Sequence, residues 1–74
     1  MNEVIFSVEE APEGGFIARA LGPSIFAEGD TMAELRKNVA GALACHFDDE
    51  SEIPKVIRLH RVHEEVMSYD QISA

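Results

Sequence analysis

The chain predicts a small α+β domain in which one mixed sheet is covered by one helix, in the order β-β-β-α-β. Three observations carry this: period-two alternation at the N-terminus, a capping box ahead of an amphipathic stretch, and a β-branched run after it. With 74 residues there is room for one layer of helix on one small sheet and no second lobe. Apolar residues make up 46% and charged residues 27%, the balance of a folded rather than a disordered chain.

The first strand is EVIFSVE, residues 3–9, which puts Val4, Phe6 and Val8 on one side and Glu3, Ile5, Ser7 and Glu9 on the other. EEAPEGG then turns the chain, its Gly14-Gly15 pair tolerating positive φ. FIARAL resumes the alternation, with Phe16, Ala18 and Ala20 against Ile17, Arg19 and Leu21, as an antiparallel second strand. After the break at Gly22-Pro23, SIFAEG is a short third strand whose Ile25 and Phe26 point to opposite faces.

Thr31 and Glu34 have capping-box spacing, so the helix starts at Asp30 or Thr31. On a wheel Met32, Leu35, Val39, Ala42, Leu43 and His46 share one arc, opposite Glu34, Lys37 and Gly41. That arc should lie on the sheet, with Cys45 at its boundary as a buried or half-buried thiol and His46 placed to cap the last carbonyls. IPKVIRLHRV forms the fourth strand, with Ile57 and Leu59 on one face and Val56, Arg58, His60 and Val62 on the other. A helix between strands three and four lets this strand return parallel to the first. The domain thus spans residues 1–62, and 63–74 form an acidic, polar tail.

Fourteen acidic and six basic side chains give a formal net charge of -8, so the molecule's field repels phosphates and attracts basic surfaces. Direct nucleic-acid binding is not expected. Lys55, Arg58 and Arg61 gather half of the basic residues in the fourth strand, where they are expected to pair with Glu3, Glu9 or the acids after the helix. No stretch reaches the roughly 18 apolar residues of a membrane span. The single cysteine and the absence of a basic leader point to a cytoplasmic protein.

The pieces EVIFSVEE, GGFIARAL and EGDTMAELRKN, in this order, resemble the HicB family of antitoxins, over residues 3–62. The Gly29–Leu35 box is the most specific of them, joining a turn glycine, a cap and the first buried helix residue. The resemblance implies a reduced ribonuclease-H-like fold and a non-enzymatic role neutralising a small basic ribonuclease of the HicA type. Two-domain members carry a DNA-binding segment after the fourth strand. This sequence runs only about a dozen residues beyond that strand, which is too few for such a module, so operator binding is not expected.

Candidate contacts for a basic protein are the strand acids Glu9 and Glu28 together with Asp48, Asp49, Glu50 and Glu52 in the loop that ends the helix. A metal site drawn from Cys45, His46, Asp48, Asp49, His60 and His63 is the competing reading, a small metal- or ligand-binding module. Only His60-x-x-His63 has ligand spacing, and on a strand it puts the imidazoles on opposite faces, so no metal or cofactor is expected. Nuclease chemistry would need carboxylates converging on paired metal ions, whereas the acids here fall at strand ends and loops. Pairing of an edge strand with a second copy, giving a dimer, is a further expectation.

Overall fold

The computed structural model describes residues 2–63 and 65–70. Its order is β1 (Glu3–Glu10), β2 (Phe16–Ala20), β3 (Phe26–Gly29), α1 (Met32–His46), a single 3₁₀ turn (Glu50–Glu52) and β4 (Val56–Arg61). The strands lie side by side as β3-β2-β1-β4, with β1 antiparallel to β2, β2 antiparallel to β3, and β4 parallel to β1. This is the α+β arrangement expected from the alternation. The helical crossover is what allows the last strand to run with the first. The tail begins within the described residues, but Glu64 and residues 71–74 of it lie outside them.

The period-two reading fixes which side chains meet. Val4, Phe6 and Val8 of β1 and Ala18 of β2 are buried against Leu35, Val39 and Leu43 of α1, with Ile25 and Ala27 closing the core. Phe26 faces the other way and is 52% exposed. Between β1 and β2, Gly14 and Gly15 take positive φ, 102° and 83°, and Ala11 N–H donates to Gly15 O at 3.0 Å.

Thr31 caps α1 from an extended conformation, its Oγ1 accepting from Glu34 N–H at 3.1 Å. The helix is reinforced from outside by Asn38, whose amide donates to the Glu28 carbonyl at 2.7 Å. Gly29 differs from its expected role as a turn glycine, since it is absent from the positive-φ positions. A Cβ there would lie 2.6 Å from Leu35 N and 2.9 Å from Leu35 Cα. Glycine is required because the first turn of α1 rests on the end of β3.

The last turn of α1 departs from the wheel. His46 and Cys45 are both exposed, so neither a buried cap nor a half-buried thiol forms. The physical reason is length. Fifteen helical residues span about 22 Å, whereas the four residues of β3, on which α1 mainly packs, span about 13 Å, so the final turn runs past the end of that strand. His46 instead meets Phe47 edge-on at 4.9 Å, and the Phe47 N–H, donating to Leu43 O at 3.2 Å, closes the helix.

Candidate functional site

Helix α1 covers one face of the sheet and leaves the other open. Strand registers define rows on that open face: Glu9, Ile17 and Glu28 are aligned across β1, β2 and β3, and Ser7, Arg19 and Phe26 form the next row, with His60 beside Ser7 on β4. Two strand spacings of about 4.8 Å put Glu9 and Glu28 roughly 10 Å apart. The two acids are separated in the chain by two connections and the whole of β2, and it is the strand registers that bring them into one row.

Around them the hairpin end of the sheet collects further carboxylates. The β1–β2 turn, the end of β3 and the start of α1 meet there, and a shallow depression between them is lined by Glu13, Phe16, Ile17, Glu28, Asp30 and Glu34. A second depression on the other side of the turn is lined by Glu9, Glu10, Pro12, Val62 and His63. Six acids thus ring one end of the domain. All six are exposed, and among the described residues no three His, Cys, Asp or Glu side chains converge as a metal site would require.

Asp48, Asp49, Glu50 and Glu52 do not join this surface. They follow α1, which starts at the hairpin end and finishes at the opposite end of the sheet, so the helix length of about 22 Å separates the two acidic groups. Within the loop Asp49 has a structural task. Its Oδ1 accepts from Ser51 N–H and Ser51 Oγ, both at 2.9 Å, and so opens the 3₁₀ turn. The Ser51 backbone bond, aided by its hydroxyl, holds the Asp49 carboxyl below the usual carboxylate range.

The basic residues of β4 pair with β1, Arg58 with an expected partner and Arg61 with a different one. Arg58 forms an ion pair with Glu3 on the open face. Arg61 reaches Glu10 at 3.7 Å instead of Glu9, because it lies opposite Val8 and shares the helix-side face with Glu10. Its guanidinium also sits 5.1 Å from the Phe16 ring centre, and Arg19 covers Phe26 at 5.6 Å. Glu9 and Glu28 therefore keep carboxylates free of ion pairs among the described residues, on a face that also exposes Ile5, Leu21 and Phe26. His60 and His63 are exposed as well.

No described helix is long and apolar enough to cross a membrane. Comparison with known proteins finds no matching family model and no matching solved structure. The chain is 49% identical over 56 residues to a UPF0150 protein of Archaeoglobus fulgidus, an alignment covering 76% of this chain and 82% of the relative. It is 40% identical over 48 residues to a UPF0150 protein of Thermotoga maritima, covering 65% and 69%. With four-fifths of the archaeal relative's length matched at this identity, the chain belongs to the UPF0150 family.

Proposed function

We propose that this protein is a HicB-like antitoxin domain, a non-enzymatic cytoplasmic partner that binds and neutralises a small basic ribonuclease of the HicA type. The observation that carries the reading is the ring of Glu9, Glu10, Glu13, Glu28, Asp30 and Glu34 at the hairpin end, on a chain of net charge -8. Such a surface steers a cationic protein into contact and would compete with RNA for the partner's basic surface. The β-β-β-α-β element order agrees with the fold that the HicB resemblance implies, and the Gly29–Leu35 box is the start of α1 that the resemblance rests on.

On this reading the hairpin end is the principal contact. Asp48, Asp49, Glu50 and Glu52 are reached only by a partner that spans the roughly 20 Å length of the helix. The test is co-expression with the basic chain encoded beside this one, followed by co-purification and an RNA-cleavage assay. Neutralisation should be lost on charge reversal by Glu9→Lys with Glu28→Lys, and association should slow as salt rises. A partner whose binding and inhibition are unchanged by both reversals, or a neighbouring chain that neither binds nor cleaves RNA, would overturn the proposal.

A further inference from the structure

The helix packs over β3 and β2, and its width of about 10 Å cannot also span to β4, two strand spacings further on. A groove is left between α1 and β4, lined by Arg36, Val39, Ile57 and Leu59. Its floor is apolar: Ile57 is 40% exposed and Leu59 half-buried. Its surroundings are cationic, with Arg36 on the wall, Lys55 just before β4 and Arg61 at its end. These are three of the six basic residues in the chain. Among the described residues β4 pairs only with β1, so its outer edge presents free backbone donors and acceptors.

The segment after β4 has the opposite character. Residues 65–70 read EVMSYD, and Val66, Met67 and Tyr69 are 86%, 66% and 81% exposed, apolar side chains with acids at either end. This arm stands away from the domain. The radius of gyration is 15.7 Å and the longest extent 58 Å, against about 11 Å for a compact chain of this length and about 26 Å for the longest strand.

We propose that residues 65–68 of one copy add as a short fifth strand along the β4 edge of a second copy, ahead of the helical turn at Tyr69 and Asp70, with the two copies exchanging arms. Strand periodicity puts Glu65 and Met67 on one face, with Met67 in the groove over Ile57 and Leu59. Glu65 meets the cations around the groove, Arg36 and Lys55, and Met67 meets its apolar floor, so charge and apolar content both agree. Exchange also gives a closed two-fold assembly in which every arm and every groove is used.

Sedimentation equilibrium on the full chain tests this. The expected mass is that of two chains, and Met67→Asp should weaken self-association by about tenfold or more while leaving the circular dichroism spectrum unchanged. Ile57→Asp should do the same, and Arg36→Glu, on the exposed helix face, serves as a groove variant that cannot disturb the core. Mixing the arm variant with a groove variant should recover association in part, because the mixed pair keeps one intact arm-in-groove contact of the two. A chain that stays monomeric at millimolar concentration, a dimer indifferent to the arm variant, or loss of association without recovery on mixing would each overturn the exchange.

Discussion

Replacing Gly29 by alanine tests the contact that joins the helix to the sheet. The added Cβ would lie 2.6 Å from Leu35 N, where ordinary contact begins at 3.4 Å, so the helix start must retreat by about 0.8 Å. All three nearest atoms are backbone, so no side chain can swing aside. The retreat lifts Leu35, which is fully buried, and a gap of that size forfeits roughly a quarter to a half of the dispersion attraction across it. Overpacking of this kind costs about 1–3 kcal/mol, and the stiffer unfolded chain returns about 0.4–1 kcal/mol, leaving a net loss of about 1–2 kcal/mol. Against a total stability on the order of 4–11 kcal/mol for a chain of this length, that is a large fraction. With a urea m-value of about 1 kcal/mol/M, the unfolding midpoint should fall by about 1–2 M at constant m. A midpoint within about 0.3 M of the parent would refute the close-approach account of Gly29.

Gly41→Ala is the matched control: nothing lies within 4 Å of its Cβ position and it is mid-helix and exposed, so stability should rise by up to about 1 kcal/mol in the same urea titration. Thr31→Ala removes the oxygen that accepts from Glu34 N–H and should lower stability by about 1 kcal/mol; no change would mean that another group caps α1. Because the Asp49 carboxyl is depressed in the folded state, its contribution is present above the unfolded value and lost as pH falls through the folded one, below about pH 4. Asp49→Asn should flatten that part of the acid-unfolding curve, and a carboxyl carbon titration of Asp49 should show a midpoint under 3.8, its ordinary value. Cys45, being exposed, should react fully with a thiol reagent in the native protein, and protection until unfolding would contradict its placement.

What could be read from the residues is what local physics decides. Alternation in EVIFSVE and FIARA assigns Phe6 and Ala18 to the core because a strand has only two faces, and the Thr31–Glu34 spacing places the helix start because a cap is a contact across three residues. Gly29 shows the limit of such reading. Its place in the Gly-Asp-Thr box was legible, but its reason is the approach of Leu35, six residues on, which depends on how the helix is laid against β3.

The exposure of Cys45 and His46 has the same origin, for a helical wheel records angle and contains no information on where the strand beneath it stops. The acids divide likewise. Charge and composition announced an acidic chain, and the sequence alone determined the four strands, the helix and its cap, since each rests on residues a few positions apart. Only the tertiary structure decided that Glu9 and Glu28 stand two strands apart on one open face, that Asp48 to Glu52 lie at the other end, and that β4 keeps an uncovered groove. Those outcomes depend on strand order and on one helix being too narrow for four strands, and neither is a local property of the chain.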